Sequence, residues 1–254
     1  MHCKAVYLAL QGALLINSGV CIPAGTGAGA LGPNGGITDT GNKGDDPTVT
    51  YCGSLDETAK EIASSEPESG PGFWITNQDS DANVRYFLYE NGRDDHPWKY
   101  ANVPQGQRFF IQVCSTWQGR IVRGTAKVNL DGQTHLLGSW FENNVDQDGA
   151  MWGDISFLEG CDGGGSITAT DGSNVTRSCM QDMLAGAPSD ALAQKQTGTN
   201  VIDKIVGDAA NSAAKDWDLK KCSADAVWID NANSKPAIKS TNGRFDYVFY
   251  KGKA

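Results

Sequence analysis

Glu142, Asp154 and Glu159 fall within the stretch ENNVDQDGAMWGDISFLEG, residues 142–160, around a short apolar run at 155–158. Carboxylates spaced this way can line a cleft, where they perform acid/base chemistry or grip a polar ligand; solvated singly, they do neither. Strand alternation bears on which. Asp154 and Glu159 are an odd number of positions apart and face opposite ways on a regular strand, so they converge only if the chain turns at Glu159-Gly160.

Other chemistries are poorly served. No CxxC pair, HExxH or histidine cluster occurs, and His96 and His135 stand alone, so neither a metal site nor a cofactor is expected. A formal net charge of -9 argues against nucleic acid or an anionic membrane as partner, since either needs a basic patch.

Residues 1–24 read as a secretory signal peptide: a basic start at Lys4, an apolar run too short to span a bilayer, then small residues. The expected product is soluble, secreted and monomeric. An extracellular address makes Cys52, Cys114, Cys161, Cys179 and Cys222 candidates for disulfides, with Cys21 kept or lost according to the cleavage point. Asn174-Val175-Thr176 is a sequon for N-glycosylation.

The elements that must position the carboxylates begin late. Residues 25–72 are rich in Gly, Pro and acids and bury too little apolar surface to offset ordering, so they read as a flexible arm with at most a short helix near 55–63. Residues 73–254 form the main domain. Strands are expected at 73–77, 84–90, 108–113, 120–130, 135–142, 154–158, 166–169, 226–230, 237–240 and 245–251, broken by turn signals such as Asn91-Gly92 and Asn242-Gly243. The fold class is all-β, an antiparallel sandwich. Within it, 161–225 is a loop and helix excursion. Val201, Ile202, Ile205, Val206, Ala209, Ala210 and Ala213 recur at helical spacing, with Asn200 and Asp203 able to cap the first turn. Cys179 and Cys222 flank this region, and a bridge between them would tie its base.

Several motifs in order resemble the thaumatin-like proteins, the pathogenesis-related family that includes osmotin and zeamatin. FWITNQDSDANVRYFLYENG is similar to the family's opening strand pair, and WKYANVPQGQRFFIQVC to the stretch running through Pro-Gly to an Arg and a Cys. ENNVDQDGAMWGDISFLEG matches its Glu and Asp-bearing strand, while TRSC, KKCSADAVWID and RFDYVFYKG resemble its late disulfide and last strands. The resemblance implies a flattened β-sandwich and an acidic cleft carrying an Arg-Glu-Asp-Asp-Asp set. Carried onto this chain, the set is Arg108, Glu142, Asp154, Glu159 in place of an Asp, and Asp230. The chain departs from plant members in having far fewer cysteines and a final YKGKA.

The resemblance implies β-1,3-glucan as polysaccharide partner, with antifungal or cell-wall-associated activity in many members and weak endo-β-1,3-glucanase activity in some. If hydrolytic, Glu142 is the general acid and Asp154 the base or nucleophile, with Arg108 holding its neighbours ionised. Trp152 and Trp117 are candidate faces for a sugar ring. Binding stands ahead of turnover, and a non-enzymatic defence protein or effector acting on a secreted protein or a membrane is the third alternative.

Overall fold

A computed structural model describes residues 49–230 and 235–254. The expected signal peptide and the first half of the arm lie outside the described residues. In chain order the strands are β1 (Lys60–Ile62), β2 (Gly72–Gln78), β3 (Arg85–Glu90), β4 (Lys99–Ala101), β5 (Arg108–Gln112) and β6 (Gln118–Gly124). A single helical turn, α1 (Ala126–Asn129), leads to β7 (Trp140–Val145), β8 (Met151–Ser156), β9 (Gly164–Ala169) and β10 (Thr176–Cys179). The excursion holds β11 (Leu192–Gln194), β12 (Asn200–Ile202) and α2 (Ser212–Lys221), after which β13 (Ile238–Ser240) and β14 (Arg244–Tyr250) close the chain.

The fold is all-β. A seven-stranded sheet in the order β1-β4-β3-β6-β7-β8-β13 faces a five-stranded sheet in the order β10-β9-β14-β2-β5. Most neighbours are antiparallel, but β14 runs parallel to β2 over its whole length and β1 runs parallel to β4. The period-two pattern of β14, with Phe245, Tyr247 and Phe249 buried, supplies the inner face of the smaller sheet. Phe141 of β7 packs on Phe249 with ring centroids 3.9 Å apart and edge-on to Tyr247 at 5.6 Å, so the odd-numbered residues of β7 point between the sheets. Gly153 of β8 allows this approach: a Cβ there would come within 2.8 Å of Ile167 and Phe245.

One end of the interior is held by charge. Arg123, fully buried, donates through Nε to both oxygens of Asp79 and through Nη1 to Asp162, each at 3.0 Å, and through Nη2 to the Gly164 carbonyl. Lys195 completes the group by donating to Asp162 at 2.9 Å, and Asp79 also accepts from Tyr86 and from the Gly252 amide. Two cations face two carboxylates, so this buried polar network is close to neutral and well supplied with donors.

The structure corrects several sequence expectations. The strand expected at 120–130 ends at Gly124 and gives way to α1, and the one expected at 135–142 begins only at Trp140. Residues 49–72 are not a flexible arm: Cys52 is bonded to Cys114, β1 adds a strand to the larger sheet, and Glu66 pairs with Lys99 at 3.0 Å. The expected helix at 201–213 is displaced. Val201 and Ile202 enter β12, and the helix begins at Ser212, capped by Asn211, whose side chain accepts from Ala214 N. Residues 226–230 form no strand; they touch the sheet at one bridge, Ser156 to Trp228. Cys179 is bonded to Cys222, with Cα atoms 5.6 Å apart, and Cys161 is a buried free thiol. Among the described residues, no helix is long and apolar enough to cross a membrane.

Candidate functional site

Because the odd-numbered residues of β7 point between the sheets, the even-numbered ones point to the opposite face of the seven-stranded sheet. Register lines up one row across four strands there: Tyr89 opposite Arg120, Arg120 opposite Glu142, Glu142 opposite Asp154. Directly opposed residues of an antiparallel pair place their Cβ atoms about 4.5–5.5 Å apart, so the two carboxyl groups meet. Their walls are aromatic. Phe87, Tyr89, Val122 and Trp140 form a small apolar cluster on this face, and the Arg120 guanidinium lies 4.1 Å from the Trp140 ring centroid.

The pair is covered. Glu142 is 1% and Asp154 0% exposed. Trp228 lies over the end of the row, seated because its backbone N–H donates to Ile155 O and its carbonyl accepts from Phe157 N. Its indole nitrogen lies against Asp154 without a well-aligned hydrogen bond, and its N–H favours the ionised carboxyl.

No oxygen of either carboxyl group has a well-aligned donor. Burial raises the Glu142 pKa well above its ordinary value, and the neighbouring Asp154 charge raises it further, against a smaller opposing effect of Arg120. Burial likewise pushes Asp154 up, to about 7. Two carboxyl groups this close cannot both ionise cheaply, and one proton held between them supplies a single donor, which leaves the outer oxygens of the pair without one. Both carboxyl groups are pushed upward, and the pair gives up its protons in two steps that belong to it as a unit.

The other members of the expected set fall differently. Glu159 sits in the turn that Gly160 closes with φ of +107°, and its charge reaches Glu142, where it adds to the upward shift. Asp230, two residues beyond Trp228, is 46% exposed and pairs with Lys215 at 3.5 Å, toward the rim. Arg108 does not join the set. It lies on β5 at the edge of the five-stranded sheet, 44% exposed, bonded to Asp246 at 2.7 Å and stacked on Trp74 at 4.1 Å. Asp246 alternates with the inward Phe245 and Tyr247, so Arg108 lies on the far side of the sandwich from Glu142.

The arginine of this site is Arg120, which also pairs with buried Asp94 at 2.7 Å. Sequence reasoning missed it, although an arginine within the apolar strand QGRIVRG was the available signal. It also missed Trp228. Trp117 is core, its indole N–H donating to Asn143, and Trp152 is half-buried beside Lys239, one row from the carboxylates. Among the described residues, no three His, Cys, Asp or Glu side chains are grouped to hold a metal ion.

No family model and no curated protein matches the chain. Among solved structures it is similar to a laminaripentaose-producing β-1,3-glucanase in complex with laminaritetraose, with a TM-score of 0.35 and 13% identity over 54% of this chain. The likeness spans 53% of that enzyme, and at this depth it carries no argument about fold or activity.

Proposed function

We propose that the chain is a secreted protein of thaumatin-like type that binds cell-wall β-1,3-glucan at the face carrying Arg120, Glu142 and Asp154. The observation that carries this reading is the buried pair itself: two opposed carboxyl groups, walled by aromatic rings, with no well-aligned donor to any of their four oxygens. A purely structural sheet face gains nothing from that arrangement, since each undonated buried polar atom costs free energy. A sugar supplies what is missing. Once Trp228, which covers the pair, moves aside, sugar hydroxyls donate to the carboxylate oxygens and the sugar ring packs on the aromatic cluster of this face.

Retention on insoluble β-1,3-glucan tests this. The double variant Glu142→Gln/Asp154→Asn should lose retention while keeping its fold by circular dichroism; undiminished retention in a folded double variant removes the pair from the account.

Weak hydrolysis is the second reading, favoured by two opposed buried carboxyl groups that are both held upward and titrate as a coupled pair. Retaining and inverting hydrolysis require carboxyl groups about 5–5.5 Å or about 6.5–9.5 Å apart. A pair that shares a proton is closer than either, so turnover requires the two groups to part around substrate. That requirement places binding ahead of efficient catalysis. Reducing-end release from laminarin should depend on Glu142, and full activity in Glu142→Gln would exclude hydrolysis by this pair.

A further inference from the structure

The sequon lies at a point of the fold that gives it a job. Asn174 occupies the turn joining β9 to β10, exposed, with φ of +52°, a left-handed conformation that asparagine tolerates better than most residues. The turn is braced from outside: the Asp171 carboxylate accepts from the amides and hydroxyls of both Ser173 and Thr241. The Asn174 amide is weakly engaged, its Nδ2 donating to Gly172 O at 3.4 Å, near the limit for a hydrogen bond. Thr176, which supplies the hydroxyl of the sequon, is exposed where β10 starts, and the neighbouring Val175 is 40% exposed.

β10 ends the five-stranded sheet, pairing with β9 on one side. Its other side opens on a shallow groove lined by Arg177, Ser178, Asp225, Ala226, Lys235 and Ala237. Arg177 Nε reaches across this groove to the Lys235 carbonyl at 2.9 Å. An open strand edge is a template for pairing with another chain, and proteins cover or charge such edges. β10 has the single charge of Arg177, and among the described residues no strand pairs with its outer side, which faces residues 225–226 and 235–237 across the groove.

We propose that Asn174 accepts an N-linked oligosaccharide that covers the groove along the outer edge of β10. The inference rests on the secretory reading, because transfer occurs on chains entering that pathway. In the transfer, the bond between Asn174 Nδ2 and C1 of the first sugar forms as the bond from C1 to the pyrophosphate of a lipid-linked oligosaccharide donor breaks. The Nδ2 proton is lost to a base of the transferring enzyme, and the lipid pyrophosphate leaves. A four-residue strand spans roughly 13 Å, within reach of a short branched glycan attached at its first turn.

The test uses the full chain behind a host secretory leader in a eukaryotic host, so that entry into the pathway does not depend on the chain's own N-terminus. Peptide mapping should find Asn174 glycosylated in the wild type and in Thr176→Ser, which keeps the hydroxyl, and unmodified in Thr176→Val. Unmodified Asn174 in the wild-type product overturns the proposal. The glycan-free Asn174→Asp variant keeps a residue that tolerates the left-handed turn, and sedimentation should show it associating at concentrations where the glycosylated protein stays monomeric. Equal dispersal of the two overturns the covering role. Whether the chain's own leader directs secretion is read separately, from the unfused chain in the culture medium.

Discussion

Arg120 and Glu142 stand directly opposite each other on β6 and β7, while Arg108 pairs with Asp246 on the other face of the sandwich. This separates two arginines that sequence alone cannot tell apart. Arg108→Ala removes one half-exposed ion pair, worth about 0–1 kcal/mol, and should leave glucan retention unchanged. Arg120→Met strands the buried carboxylate of Asp94 and should cost about 3–5 kcal/mol in denaturant unfolding, with loss of retention in the folded fraction. Loss of retention in Arg108→Ala, with Arg120→Met unaffected, would return the arginine to the position expected from sequence.

A second prediction follows from three buried carboxyl groups, Glu142, Asp154 and Asp218, all shifted upward. Asp218 lies on the buried side of α2 beside Cys161, with neither oxygen bonded, and burial pushes it to about 8. Their folded pKa values exceed the unfolded ones, so the folded state holds more protons between about pH 4 and 8, and stability falls as pH rises through that window. Each such group contributes a slope of about 1.4 kcal/mol per pH unit while it is protonated in the folded state alone. Below about pH 4 the opposite groups dominate: Glu66, paired with Lys99, and Asp171, bonded by its turn, are held low and lose that stabilisation on protonation. The melting temperature should therefore peak in mild acid and decline toward pH 8, with Asp218→Asn flattening the upper part of the decline. A melting temperature that is level or rises from pH 5 to 8 is incompatible with this set of buried groups.

The parts of the fold that were legible in sequence are those where burial alternates. Phe73 and Ile75 on β2 and Phe245, Tyr247 and Phe249 on β14 announce strands because one face is core and the other is not. α2 was illegible by the same logic: of SAAKDWDLKK only Ala214 and Asp218 are buried, so no apolar stripe marks it, and the apolar run ahead of it belongs to β12 and the loop beyond. Glu142 and Asp154 could be picked out by type and spacing. Their partners could not, because Arg120 and Trp228 reach the pair through strand register and through a single bridge, which local pattern does not encode.

The Arg123 network supports a third prediction. Arg123→Met would leave Asp79 and Asp162 facing each other in the interior, with Lys195 the remaining cation of the group. Removing one partner of a buried pair costs about 3–5 kcal/mol, and here two carboxylates lose theirs, so the variant should unfold at markedly lower denaturant or fail to accumulate. Adding Asp79→Asn to Arg123→Met should recover part of the loss. Additive destabilisation by the two substitutions would show that the groups are not coupled in the way the geometry requires.

A fourth concerns the bond between Cys52 and Cys114, which closes a loop of sequence separation 62 and holds residues 49–72 to the sandwich. By the chain-entropy estimate its loss costs up to about 4 kcal/mol. Cys52→Ala/Cys114→Ala should lower the unfolding midpoint and open residues near 52 to proteolysis. Cleavage should not extend past β1, whose pairing with β4 and whose neighbour Glu66 remain in place. Proteolysis running through to residue 72 would mean that the disulfide alone orders the segment.

Trp228 separates the two roles that its side chain plays over the carboxylates. Its bulk keeps water from Asp154, which raises the pKa, and its N–H favours the ionised form, which lowers it. Trp228→Phe removes the donor and keeps most of the bulk, so Asp154 should titrate higher than in the wild type. Trp228→Ala removes both, costs about 3–5 kcal/mol, and admits solvent, so Asp154 should titrate lower. Carboxyl titrations followed by NMR in the two variants should thus move in opposite directions. Movement in the same direction would show that one of the two effects does not act on Asp154, and an unchanged titration in both would place the indole away from the pair.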